Sequence, residues 1–278
     1  MNDEPRHHAD YSARQVEAAH RALVDVGQVL ASFKDCMVVI GGWVPDLLLP
    51  NVQERHVGSI DVDIALDAAT LNDGRYAALL KLLLATRRYE SGDKEFQFLV
   101  DVDLQDDQPP VRVPVEFLAP KEVRLKKNHP KLIPGFRVLK TDACRAAFHA
   151  PKEMAVSGKM AIRGAKNTVY LRIASLSDFL VMKAHALRGR EKPKDSYDIC
   201  YVLDHAPGGI EAFARDWRDR LAEKDVREAI EILGKKFEDV ESYGPKQLVE
   251  FYDAMDVETQ LMQARRAFEV VQKFLKKI

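Results

Sequence analysis

Residues 59–67 read Ser-Ile-Asp-Val-Asp-Ile-Ala-Leu-Asp, and no other stretch restricts the fold as much. In a strand, successive side chains point to opposite faces. Ile60, Val62, Ile64 and Leu66 therefore share one apolar face, while Ser59, Asp61, Asp63, Ala65 and Asp67 share the other. Such a strand needs a helix or second layer over its apolar side. Its other side holds Asp61 and Asp63 about 6–7 Å apart along the strand. Like charges that close repel unless a cation sits between them.

The sequence before it narrows the geometry. "CMVVIGG" reads as a buried strand running into a turn at Gly41-Gly42, and "WVPDLLLP" as a short helical piece stopped by Pro50. Glycine at such a turn lets backbone N–H groups approach phosphate closely. A D-x-D pattern alone is more often a solvated strand face. Here the consistent apolar alternation and the Gly-Gly turn shift the reading toward hard-oxygen ligands for Mg²⁺, one or two ions, with nucleoside triphosphate as substrate. Glu116, in "VRVPVEFLA", a strand otherwise poor in charge, is the candidate third metal ligand beside Asp61 and Asp63; an outward glutamate on an edge strand accounts for it equally well. Asp101 and Asp103 form a second D-x-D that follows no glycine turn and reads as solvated turn acids.

Residues 11–33 have the spacing of an amphipathic helix, and 71–90 of another with Leu79, Leu80, Leu83 and Leu84 inside. "KEFQFLVDVDL" and "VRVPVEFLA" are two strands joined by "QDDQPP". "VSGKMAIRG" and "NTVYLRIAS" are two further short strands, and from Ser175 the pattern is helical to the end, including one long helix in "PKQLVEFYDAMDVETQLMQARRAFEVVQKFLKKI". The expected architecture is α/β (α+β): a mixed sheet flanked by helices over residues 1–174, then an α-helical domain over 175–278 that completes the active site.

Within 278 residues, Lys+Arg 42 against Asp+Glu 43 leaves a net charge of −1, so bulk charge selects no polyanionic partner. A local exception is Lys121–Lys140, with seven basic residues against Glu122. A solvated loop is the common meaning of such a run; an RNA surface is the rarer one. Cys36, Cys144 and Cys200 form no C-x-x-C pair and read as free thiols. The polar "MNDEPRHHAD" lacks a signal peptide's apolar centre, and no window is long and apolar enough for a membrane span, so a cytoplasmic protein with no membrane partner is expected. No histidine has zinc-site spacing, so His7, His8 and His56 are set aside as ligands, and His185 as a helix-surface residue.

A second constellation lies in the helical half. Leu176, Leu180, Lys183 and Leu187 fall on one helical stripe, and a lysine there must snorkel to the surface or find an anionic partner. In "KPKDSYDI", Asp195 reads as a helix-start acid, whereas Asp198 lies among Tyr197, Ile199, Tyr201 and Val202, where capping does not explain it.

The stretches "GGWVPDLLL", "RHVGSIDVDIAL" and "KAHALRGREKPKDSYDICYVL" together resemble the AbiEii/AbiGii toxin-type nucleotidyltransferases of the DNA-polymerase-β-like superfamily, in patches over residues 36–205. Two departures stand out: the Gly42-to-Asp61 interval is long, and Ser59 stands near the place of a usual threonine after Arg55. The resemblance implies transfer of a nucleoside monophosphate from an NTP to an acceptor hydroxyl. It implies Asp61, Asp63, Lys183 and Asp198 as catalytic residues, with Asp198 orienting Lys183 or acting as base. Gly41, Gly42, Ser59, Lys183, Arg188 and Lys194 become the nucleotide-binding set. It also implies an RNA or tRNA acceptor and a cognate antitoxin. Two rivals stand beside it: a nucleotidyltransferase for an antibiotic or metabolite, and a non-catalytic module on the same fold.

Overall fold

The computed structural model describes residues 5–67, 70, 73–122, 138–162 and 164–278. Most of the basic run, residues 123–137, lies outside them; Lys121 pairs with Asp142 at 3.0 Å and Lys140 is exposed. The chain forms two compact units, each assembled from separated stretches. The first comprises Ser12–Val44 and Gly58–Ser175; the second comprises Met1–Tyr11, Pro45–Val57 and Leu176–Ile278.

The first unit is built on a mixed sheet. Its strands are β1 (Met37–Ile40), β2 (Val62–Leu66), β3 (Tyr89–Ser91), β4 (Gln97–Val102), β5 (Val111–Pro120), β6 (Leu139–Thr141), β7 (Lys152–Lys159) and β8 (Lys166–Ile173). The order is β3-β4-β5-β2-β1-β8-β7, with β6 beside β5. β2 runs antiparallel to β1 and parallel to β5, so the acid strand sits in the middle of the sheet. The two pairs read as strands from alternation form antiparallel hairpins, β4 with β5 and β7 with β8. β3 was not legible, because three residues are too few to show a period.

Helix α1 (Ala13–Val29) starts at Ser12, whose hydroxyl accepts from Gln15 N–H in a capping box, and packs on β2, β4, β5, β7 and β8. Val62, Ile64 and Leu66 are buried, as their alternation requires, together with Val113, Val115 and Phe117 of β5. Gly27 allows the approach of α1: a Cβ there would press on Leu171 and Val169 of β8. α3 (Asp73–Ala85) buries Leu79, Leu80 and Leu83, whereas Leu84 is half-buried.

The second unit is helical: α4 (Leu176–Gly189), α5 (Pro193–Asp204), α6 (Ile210–Asp219), α7 (Lys224–Lys236), α8 (Tyr243–Tyr252) and α9 (Val257–Leu275). The long closing helix expected from sequence is two helices. Asp253 adopts a left-handed φ of 51° that ends α8, and Asp256 caps α9 by accepting from Thr259 N–H at 2.7 Å. Trp217, fully buried, meets Phe274 edge-to-face and donates its indole N–H to Ser177 Oγ at 3.1 Å. Helix α2 (Trp43–Leu48) contains one of the crossings between units, at Val44–Pro45.

Among the described residues, no helix is long and apolar enough to cross a membrane. Phe117 is fully buried and meets Phe98 edge-to-face. Phe117→Ala is expected to lower unfolding free energy by about 3–5 kcal/mol, measured by urea titration; a loss below about 1 kcal/mol would contradict its place in the core.

Candidate active site

Within the sheet unit, register brings acids together. Asp63 of β2 is level with Glu116 of β5, and these strands are hydrogen-bonded neighbours, so both carboxylates stand on one sheet face. Glu116, 14% exposed in its side chain, accepts from Gln97 Nε2 at 2.8 Å and lies 3.6 Å from Lys94 Nζ. Asp61 lies just before β2 rather than inside it. Its backbone carbonyl accepts from Trp43 Nε1 at 2.7 Å, and its carboxylate accepts from the Ser59 hydroxyl. Ser59 therefore supports an acid and is itself buried.

Gly41 follows β1 with φ +70°, a conformation that disfavours any residue with a Cβ. A Cβ there would collide with the Asp63 carboxylate, so this glycine is fixed by both backbone and space. Gly42 beside it is buried. Cys144, in a 3₁₀ turn over Cys144–Phe148, is buried, and burial pushes its thiol up to about 12. The three cysteines are all free and buried.

Among the described residues no group of three or more His, Cys, Asp and Glu converges closely enough to hold a metal ion. The donor chemistry at the acid edge is nonetheless that of a hard cation: carboxylate oxygens and no soft or nitrogen ligand. Asp101 is exposed on β4 opposite Arg112, and Asp103 accepts from Gln105 N–H at 2.8 Å, both as solvated acids near a turn.

Within the helical unit, Lys183 finds carboxylates rather than an escape to the surface. Its ammonium lies 2.6 Å from Asp195 Oδ1 and 2.6 Å from Asp198 Oδ2. Lys194 Nζ meets Asp198 Oδ1 at 2.7 Å, and Arg190 grips Asp195 through Nε at 2.7 Å and Nη2 at 2.9 Å. Asp195 and Asp198 are fully buried, three apart on α5 and so on one face. Pro193 opens this helix, and Asp195 serves the network rather than a cap. Arg188 is exposed and pairs with Glu228 at 3.2 Å. Arg55 is largely exposed, 3.8 Å from Asp46. His185 is buried rather than on the surface; its Nε2 donates to the Asp225 carbonyl at 2.9 Å.

One member was missed in the sequence. His56, fully enclosed, contacts Asp198 Oδ1 through Nε2 at 2.8 Å, between the rings of Tyr197 and Tyr201. The same aromatics fix the backbone around it: Tyr201 Oη donates to the Glu54 carbonyl at 2.8 Å, and Val57 N–H donates to Tyr197 Oη. Zinc-site spacing is no signal for a residue of this kind. A better signal is on its partner helix, where Lys194, Tyr197, Asp198 and Tyr201 form one polar-aromatic stripe that needs something to pack against.

The electrostatics follow from burial against pairing. Burial, reinforced by Lys194, pushes His56 down to about 4 despite Asp198, so the ring is neutral and its Nε2–H donates. Burial works against the Lys183 charge, but Asp195 and Asp198 outweigh it and hold the ammonium above its ordinary range. Burial would raise Asp195, yet Lys183 and Arg190 bring it to about 2, and Asp198 is held well below the usual carboxylate range against the same penalty. Burial lowers Lys194.

The profile of the family described as "Nucleotidyl transferase AbiEii toxin, Type IV TA system" matches residues 26–273. The chain belongs to this family. It is thus a nucleotidyltransferase of the AbiEii toxin type, as the resemblance in its motifs implied. No curated protein sequence matches it. Among solved structures it is similar to an antigenic nucleotidyltransferase-like protein from Paracoccidioides brasiliensis, at 17% identity and a TM-score of 0.44, with 87% of this chain and 95% of that one covered.

Two outcomes are expected from the buried network of this AbiEii-family chain. Asp198→Asn leaves Lys183, Lys194 and His56 without their shared anion and should cost about 3–5 kcal/mol, read by urea titration; a neutral effect would overturn the pairing. His56 titrates near 4 when folded and about 6.5 when unfolded, so the unfolded chain binds the extra proton. Stability should therefore fall as pH drops from about 6.5 to 4, by up to the order of 3 kcal/mol. His56→Gln should flatten that segment, and an equal slope in both proteins would contradict the assignment.

Proposed function

We propose that the chain moves a nucleoside monophosphate from an NTP to an acceptor hydroxyl, with Asp61, Asp63 and Glu116 as the acids that hold Mg²⁺. The observation that supports this reading most is the Asp63–Glu116 pair, level on neighbouring strands and beside the Gly41 turn. Unrelated surface acids have no reason to share a register position next to a turn where the Asp63 carboxylate leaves no room for a Cβ.

The acceptor oxygen forms a bond to the α-phosphorus as the bond to pyrophosphate breaks. Mg²⁺ at these acids supplies charge that favours both the attacking hydroxyl and the departing pyrophosphate. The chain supplies the rest. The Gly41-Gly42 turn offers backbone N–H groups to phosphate oxygens, and Ser59 and Trp43 hold Asp61 in place. Lys183 stays charged, donates to Asp195 Oδ1 and lies 2.6 Å from Asp198 Oδ2, and in this reading its ammonium is a contact for phosphate. Asp198 is a positioning residue in this reading: sealed from solvent, held ionised and surrounded by donors, it orients Lys183 rather than taking a proton. Lys194 belongs to the same support, and Arg188, on the exposed end of α4, is the more accessible cation for a phosphate.

The acceptor in this proposal is RNA, reached in the cytoplasm, and the chain is the toxin member of a pair with a cognate antitoxin. The family description supports the pair. The test is incubation with each α-labelled NTP, Mg²⁺ and total RNA, beside an extract of small molecules as alternative acceptor. Label is expected in RNA with the wild type, and a loss of at least about 100-fold with Asp61→Asn/Asp63→Asn. Label in small molecules alone would replace RNA by a metabolite; no transfer to either would overturn the enzymatic site.

A further inference from the structure

The β7–β8 hairpin carries a surface that neither the core nor the acid edge uses. Val169, Leu171 and Ile173 of β8 are buried toward α1, where Leu171, Val39, Ile64 and Leu23 line one small cavity. Period two then places Lys166, Thr168, Tyr170 and Arg172 on the opposite face. Ile173 is level with Val39, and Val39 with Ile64, so that opposite face is the one bearing Asp63 and Glu116. Ile40, level with Asp63, lies between β2 and β8 in the sheet. From Tyr170 to the level of Asp63 is about 13 Å along β8 and about 10 Å across two strand spacings.

Tyr170 is 61% exposed because its cross-strand partner is only Ala155. At the hairpin end, Lys159 stands directly opposite Lys166, an arrangement that costs stability unless an anion is shared. Among the described residues neither lysine forms an ion pair. Between them lies a shallow depression of about 690 Å³ whose floor carries the hydrogen-bonded hydroxyls of Ser157 and Thr168. The acid on this face, Glu153, is already engaged by Lys34 at 3.5 Å. An open aromatic ring with two unmatched cations on one face of a hairpin is the recognition chemistry of a single-stranded polynucleotide: bases stack, phosphates are neutralised. A duplex hides its base faces and offers no such stack.

We propose that this face binds single-stranded RNA, with one base on Tyr170 and phosphates at Lys159 and Lys166, and that it leads the strand's end along β8 toward the acid edge. The delivery of an acceptor hydroxyl rests on the nucleotidyl-transfer reading; the binding does not. The test uses the full chain without NTP and fluorescence anisotropy of a fluorescein-labelled oligouridylate, with a fully paired RNA duplex alongside. Tyr170→Ala should weaken oligouridylate binding about 5- to 100-fold, while Tyr170→Trp retains it. Lys159→Gln and Lys166→Gln should each reduce the slope of log K against log salt by about 0.7. Unchanged affinity and slope in these variants, or equal affinity for the duplex, would overturn the proposal. So would self-association lost in Tyr170→Ala with no RNA affinity, which assigns the face to a protein partner. RNA binding without any transfer leaves this surface standing and sinks the acceptor reading instead.

Discussion

A carboxylate with no solvent exposure must be surrounded by donors, and Asp198 organises the helical unit on that condition. Leaving it charged in a low-dielectric interior costs several kcal/mol unless nearly every lone pair is used. Lys183 comes from α4, Lys194 from the preceding turn of α5, and His56 from a stretch of chain some 140 residues earlier in sequence. Asp195 then balances Lys183 from the other side and draws in Arg190. None of these groups is stable where it sits without the others. The network therefore fixes how α4, α5 and the 45–57 stretch pack, as well as the charge state each member holds.

The sheet unit solves a related problem by register instead of pairing. Alternation alone made the apolar side of β2 legible, since Ile64 and Leu66 had to face a helix, and α1 covers them. The Gly41 turn was legible as a glycine pair ending an apolar run, while its closeness to the Asp63 carboxylate shows only in the fold. What one strand cannot reveal is its neighbour. In sequence Glu116 stands out only by a strand poor in charge; that β5 lies parallel beside β2, with Gln97 and Lys94 as partners of Glu116, is a property of the fold.

Other parts were hidden for identifiable reasons. The break between α8 and α9 turns on the backbone of Asp253, and an amphipathic pattern can run through such a residue unchanged. His56 was passed over because a histidine looks like a ligand or a surface residue, and a buried neutral donor has no local pattern. The Tyr197–Tyr201 cage that holds it is visible only from the partner helix. Lys183 and Asp198 stood out earlier because charge within apolar bulk is an anomaly even in one dimension.

The helical unit takes its residues from three separate stretches of chain, and the middle one brings His56 to Asp198. A fragment beginning at residue 175 would thus be born with a buried acid missing one donor and with Tyr197 and Tyr201 missing the imidazole between them. Ribosomal synthesis delivers that missing piece first, so the early stretch must wait, unpartnered, until α5 emerges. This half of the protein is consequently no interchangeable cassette: it cannot be shuffled between genes, or split into a complementing pair at the point where the helices begin, without taking the loop ahead of the acid strand along with it.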